Sequence, residues 1–216
     1  MNPTIGKILL KIHFFVNVLL CKFDYQSSVL DFSGEWRVVD YRDLVLNDCG
    51  IDVLAYLEKD DLLAEIGRSG INLGEVAKDI SLGGLIDKLY KKVSRPKLTQ
   101  PTFLVHHPSI LIPLARRNDQ NPLVVDSFQV LVNGWEMVKA YSELADPVLQ
   151  ANLLNEQASL RKSGDSEAMF FDDAFVKSLE YGMPPCSGVG LGIDRFTAIL
   201  TNQRNLTDVV FFPLMR

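Results

Sequence analysis

The chain has 216 residues, 47% of them hydrophobic and 23% charged, the balance of an ordinary globular protein with one large domain. Lysine plus arginine number 22 against 27 aspartates plus glutamates, and the net charge of -5 argues against a free-standing nucleic-acid binder while leaving room for RNA contact over a small local patch. The three cysteines, Cys21, Cys49 and Cys186, lie far apart with no CxxC and no Cys/His cluster, which argues against a disulfide framework or a zinc site and for a reducing, cytoplasmic setting.

At the start of the chain, Ile8 to Leu20 is mostly apolar but is broken by Lys11, His13 and Asn17, so it is too short and too polar to span a bilayer. Lys7 before the apolar run resembles a signal peptide, yet no small-residue cleavage site follows, and a buried or partner-facing helix within residues 1–28 is the expected reading. Residues 29–47 read as short extended pieces carrying Trp36, Val38 and Val39. From 51 to 95 apolar residues recur at roughly helical spacing, punctuated by Gly67, Gly70, Gly74, Gly83 and Gly84, which predicts several short helices. Thr102 to Val105 is a candidate strand ended by His106, His107 and Pro108, and Phe128 to Val132 is another. Asn133-Gly134 is a two-residue hairpin signal, because both positions of that turn take positive φ, so Trp135 to Tyr141 should return.

Residues 147–162 read as a helix with Leu149, Leu153 and Leu160 on one side, and Asp172 as the N-cap of a helix stopped by Gly182 and Pro184. Gly188 to Ile193 reads as extended, Asp194 to Thr201 as a helix, and Val209 to Phe212 as a last strand or strand-like end. Hairpins with helices at the margins predict an α+β fold with a mainly antiparallel sheet.

Three groups could carry chemistry. In Ser187-Gly188-Val189-Gly190-Leu191-Gly192-Ile193-Asp194-Arg195, glycines at alternate positions strip one strand face of side chains, so a flat ring could lie against the backbone with Arg195 stacked on it or reaching a phosphate. The pattern is GxGxG without a βαβ unit, so it is no dinucleotide fingerprint, and a tightly packed strand with Arg195 salt-bridged to an acid remains the alternative. Glu136 and Glu143 could share Mg²⁺ with substrate phosphates, but they are seven apart, and a regular strand would turn them to opposite faces. They converge only if the strand bulges or ends before Glu143; otherwise they are two solvated acids. Arg116-Arg117 with Asn118 and Asp119 is a possible phosphate contact or a solvated turn, and the adjacent His106 and His107 should face opposite ways. Asn205-Leu206-Thr207 matches a glycosylation sequon, idle in a cytoplasmic setting.

The stretch SGVGLGIDRFTAILTNQRNLTDVVFFPLMR resembles the third signature motif of class II aminoacyl-tRNA synthetases. Three further blocks, PTFLVHHPSILIPLARR, DSFQVLVNGWEMVKAYSELADPVLQ and GDSEAMFFDDAFVKSLEYGMPP, are similar to the lysyl branch in the same order, from about residue 31 to the end. The resemblance implies a partial class II catalytic domain over 29–216, with 51–95 as a helical insertion. It implies ATP-dependent activation of lysine and its transfer to tRNA, with Mg²⁺. Glu136, Met137, Gly190, Gly192, Ile193, Asp194 and Arg195 would then bind ATP, with Asp194 orienting Arg195. Glu136 and Glu143 would be the metal carboxylates, Lys139, Tyr141 and Glu143 would line the amino-acid pocket, and Arg195 and Glu143 would be catalytic. The implied partners are ATP, lysine and tRNA, with a homodimer or complementation by an N-terminal half, and no membrane.

The sequence also departs from that family. No arginine is followed two places later by glutamate, so motif 2, with the arginine that stabilises charge at the α-phosphate, is not found, nor are motif 1 and the anticodon-binding OB-fold. The reading is therefore a C-terminal catalytic segment, incomplete alone. Lys139 and Ala145 stand where the family has asparagines, and a cation at 139 would repel a cationic substrate unless it turns away or pairs with Glu143. Three alternatives follow: a non-catalytic nucleotide- or partner-binding remnant, an amino-acid ligase paralogue acting on a non-tRNA acceptor, and one half of a split enzyme.

Overall fold

The structure is a computed structural model and describes residues 22–77, 79–166 and 168–213. Its centre is a five-stranded sheet of β3 (Arg37–Asp40), β4 (Thr102–Val105), β5 (Ser127–Val132), β6 (Trp135–Ser142) and β7 (Ser187–Leu191), in that spatial order. A separate hairpin, β1 (Lys22–Tyr25) and β2 (Ser28–Asp31), precedes it. The main sheet is mixed rather than purely antiparallel: β3 pairs with β4 in parallel, and the other three pairings are antiparallel. The parallel pair follows from chain length. About sixty residues separate the two strands, and the helices α1 (Tyr41–Cys49), α2 (Lys59–Arg68) and α3 (Leu82–Val93) form the crossover that such a pair requires.

Periodicity and caps place the helices. Residues 41–47 were expected to be extended, but Asp40 accepts from the Arg42 and Asp43 N–H groups and starts α1 there, ending at Gly50 with φ 78°. α4 (Pro147–Lys162) begins at Asp146, which accepts from Val148 and Leu149 N–H, with Pro147 in the first turn where its missing N–H costs nothing. α5 (Asp173–Glu180) is capped by Asp172 as its sequence predicts, and α6 (Ile193–Leu200) follows β7. Two other expectations are corrected. Residues 22–28, grouped with an N-terminal helix, belong to the hairpin, while the helix expected over 8–20 lies outside the described residues. Val209 to Phe212 is not a strand: Leu206–Asp208 is a turn of 3₁₀ helix, and Phe211 and Phe212 are almost wholly exposed, so they have no apolar face to pair against. No helix among the described residues is long and apolar enough to cross a membrane.

The sheet's two faces have different covers. On one, Phe103, Phe128, Val130, Val138 and Ala140 pack with Leu30, Phe32 and Trp36 from the hairpin region and with Ile199 of α6. On the other, Val39, Leu104 and Leu131 pack with Tyr41, Leu44, Leu62, Leu85 and Leu89 from α1, α2 and α3. The helical layer stops at β5. The β6–β7 half of that second face is left open, and the chain's candidate chemistry lies there.

Candidate active site on the open face of β6 and β7

Parity alone would separate Glu136 from Glu143. The structure resolves this with a β-bulge. Val130 of β5 faces Val138, but Leu131 faces Glu136, so Met137 is an extra residue in β6. Met137 and Val138 both point into the core, each 1% exposed. After the bulge, alternation puts Lys139 and Tyr141 on the same face as Glu136. The strand ends at Ser142, and Glu143 continues that face beside the turn.

The bulge leaves two carbonyls outside the regular ladder, and the glycine run satisfies both. The Gly192 N–H donates to the Met137 carbonyl at 2.9 Å. Arg195 Nη1 donates to the Glu136 carbonyl at 2.6 Å and lies 3.7 Å from Glu136 Oε1. Glu136 thus holds Arg195, where Asp194 had been expected to do so. A Cβ at Gly192 would press on the Arg195 side chain at 3.3 Å, so the position keeps room for that arginine. Across the strand pair, Gly190 faces Lys139 and Gly188 faces Tyr141. The glycine-lined strip is therefore bare backbone, bordered by Lys139, Tyr141 and Arg195, the flat surface that alternate glycines imply.

Glu136, Lys139, Gly190, Gly192, Asp194 and Arg195 border one hollow of about 390 Å³. Glu143 lines the next one, of about 360 Å³, with Arg116, Ser142, Asp146 and Cys186. The two carboxylates share a face but occupy adjoining hollows. Burial pushes the Glu143 carboxyl up from its ordinary value, and burial followed by the charge of Glu143 does the same to the Tyr141 phenol. Glu143 makes no ion pair among the described residues. Gly188 is what lets it lie there, because a Cβ at 188 would collide with Glu143 Oε1. Gly188 belongs to the same alternating glycine run, but the residues that the resemblance implied for ATP binding were Gly190 and Gly192. Ile193 is half-exposed or more, and Met137 contributes its backbone rather than its side chain to the hollow's rim.

No cluster of three or more His, Cys, Asp or Glu side chains suited to a metal exists among the described residues. That fits Mg²⁺ shared with a polyphosphate, since this ion binds through one or two carboxylates and completes its shell with phosphate oxygens and water. Glu143, partly withdrawn from water and without a basic partner, suits such an ion.

The remaining sequence candidates have other partners. Arg116, on the rim of the Glu143 hollow, donates through Nη2 to both Asp119 carboxylate oxygens at 2.6 and 2.7 Å within an exposed turn. His106 Nδ1 meets Asp40 Oδ2 at 2.8 Å, whereas His107 Nδ1 meets Ser127 Oγ at 3.0 Å, so the adjacent pair does face different partners. Cys186 is exposed and Cys49 is not, and no disulfide joins them.

Comparison with known proteins agrees with this geometry. The family profile described as tRNA synthetases class II (D, K and N) matches residues 12–216. A lysine–tRNA ligase of Thermosipho africanus is 42% identical over 195 residues, covering 90% of this chain and 38% of that protein. Those of Fervidobacterium nodosum and Thermotoga maritima are 40% and 38% identical, again over 90% of this chain, and 37% and 38% of their own lengths. The chain thus spans less than two fifths of these relatives. A match over nearly all of its length, with the motif residues assembled on one sheet face, means that the chain belongs to the class II tRNA synthetase family.

Proposed function

We propose that this chain carries the ATP and amino-acid face of a lysine–tRNA ligase. The observation that supports it best is the Met137 bulge, which brings Glu136, Lys139, Tyr141 and Glu143 to one face opposite the bare glycine strip, with Arg195 tied to the bulge itself. In this reading the adenine ring lies on the strip at Gly190 and Gly192, with Arg195 stacked over it or turned to the phosphates. Glu136 and Glu143 would hold Mg²⁺, and the ion when bound would supply charge neutralisation and a template for the phosphates. Tyr141 and Glu143 border the amino acid, which joins the α-phosphate of ATP through its carboxylate and releases pyrophosphate. The tRNA 3′ hydroxyl then takes the lysyl group. Protein side chains contribute position and charge rather than covalent chemistry.

The sequence holds no Arg-x-Glu, so the chain alone should bind ATP yet catalyse lysine-dependent ATP–pyrophosphate exchange at least about a hundredfold more slowly than a protein that supplies that arginine. Calorimetric titration with ATP and Mg²⁺, followed by the exchange assay with each of the twenty amino acids, tests this. Absence of ATP binding overturns the site; exchange driven by an amino acid other than lysine overturns the substrate.

A further inference from the structure

The tip of the β1–β2 hairpin is bound to the far end of α6 by polar contacts that the nucleotide reading does not use. The Gln26 N–H donates to Asn202 Oδ1 at 2.7 Å, and Gln26 Nε2 donates to the Asn202 carbonyl and to Oδ1, each at 2.9 Å. Arg204 Nε donates to Gln26 Oε1, and the Tyr25 hydroxyl donates to the Gln203 carbonyl at 3.0 Å. Both central partners hold left-handed backbone, with φ of 56° at Gln26 and 58° at Asn202. Asparagine tolerates that region, but glutamine does so less readily. Gln26 also opens a two-residue hairpin turn, where a positive φ is the usual place of glycine. Its bonds to Asn202, not the turn, account for glutamine at that position.

The helix so held has few other anchors. α6 is eight residues long and buries Ala198 and Ile199, with Phe196 partly buried against the core, and a helix of that length is not stable by itself in water. Its first turn carries Arg195. Just past the hairpin contact comes Leu206, which borders the glycine hollow together with Arg195, Gly190 and Gly192. The contact at 202–204 therefore lies between two residues of the hollow's rim. We infer that Gln26 and Asn202 are positioning residues for the nucleotide: by fixing the end of α6 to the hairpin, they set where Arg195 and Leu206 stand around the glycine strip. This rests on the nucleotide-site reading and extends it to the β1–β2 turn, which lies outside the sequence blocks that carry the family resemblance.

The test is calorimetric titration with Mg²⁺–ATP beside a urea melt, on the full chain and on Gln26→Gly, Asn202→Gly, Asn202→Asp and the double glycine variant. Glycine suits the φ at 26 better than glutamine, so the unfolding midpoint of Gln26→Gly should not fall, while its affinity should drop about fivefold. Asn202→Gly keeps the left-handed backbone and loses the side-chain acceptor, and its affinity should drop by the same factor. Asn202→Asp keeps both and should stay within about twofold of the parent. The double variant should lose no more than either single one, because each removes the same contact. Unchanged affinity in either glycine variant overturns this inference alone, and so does a double variant whose loss is the sum of the two. A loss confined to variants whose urea midpoint also falls overturns it as well, since that marks a role in folding only. A parent chain that does not bind Mg²⁺–ATP overturns the nucleotide site along with it.

Discussion

Gly188 shows how one missing methyl group decides a site. Its strand position needs no unusual φ, so backbone freedom is not the reason for glycine. The reason is the Glu143 carboxylate, which occupies the space a Cβ would take. Gly188→Ala should therefore move Glu143 and weaken Mg²⁺–ATP binding about tenfold or more, while unfolding free energy shifts by about 1 kcal/mol or less, because β7 is a partly exposed edge strand. Titration with Mg²⁺–ATP beside a urea melt checks the pair of outcomes; a large stability loss with unchanged binding would assign Gly188 to packing. The neighbouring burial of Glu143 acts in the same direction, since a carboxyl held up from its ordinary value gains from a cation placed beside it.

At the scale of elements, the bulge and the α4 cap together frame Glu143. The bulge sets which face the strand presents, and its spare carbonyls are taken by Gly192 and Arg195, so the motif that follows β7 also stabilises the irregularity in β6. Three residues past Glu143, Asp146 accepts two N–H groups and turns the chain into α4. Asp146→Ala removes that cap and should cost about 1 kcal/mol. The unfolding midpoint in urea should fall with the slope unchanged, and a variant as stable as the parent would mean that Pro147 and packing start the helix unaided. The Asn133-Gly134 turn behaves as its residue types demand, with φ of 49° and 71° at the two positions.

For the whole molecule, the covering of the sheet is uneven. The helical layer and the hairpin region bury β4 and β5 on both faces, but β3 and β7 are the edges of the sheet, with Val38, Val189 and Leu191 about half exposed. Where the layers do close, they trap His107, which burial pushes down from 6.5 to about 4. The sign follows from where the proton goes. Above pH 6.5 the imidazole is neutral in both folded and unfolded chains. Between pH 6.5 and 4 the unfolded chain takes up a proton that the folded chain refuses, so stability falls as pH drops through that window, by at most roughly 3 kcal/mol. Urea melts from pH 7.5 to 4 should show this slope, and His107→Gln should flatten it between 6.5 and 4. An unchanged slope in that variant would assign the pH dependence to other groups.

Local chemistry made much of this legible in the residues themselves. Asp146 and Asp172 before apolar-periodic runs start helices, Asn-Gly forces a tight hairpin, and alternate glycines leave a strand face bare; each effect acts within a few residues of its cause. The odd spacing of Glu136 and Glu143 even required an irregularity, because side-chain parity is a property of the chain. What the sequence did not contain was decided between distant segments. Whether β3 runs parallel to β4 depends on where a three-helix crossover docks. The Asp40 cap that makes 41–49 a helix is a local signal that the extended reading passed over, whereas the apolar run at 209–212 finds no strand to pair with. Met137 became the bulge residue, and Glu136 rather than Asp194 the partner of Arg195, because the carbonyls freed in β6 meet donors some fifty-five to sixty residues later in the chain. Such pairings depend on register and hydrogen-bond satisfaction across the sheet, and those exist only once the strands have come together.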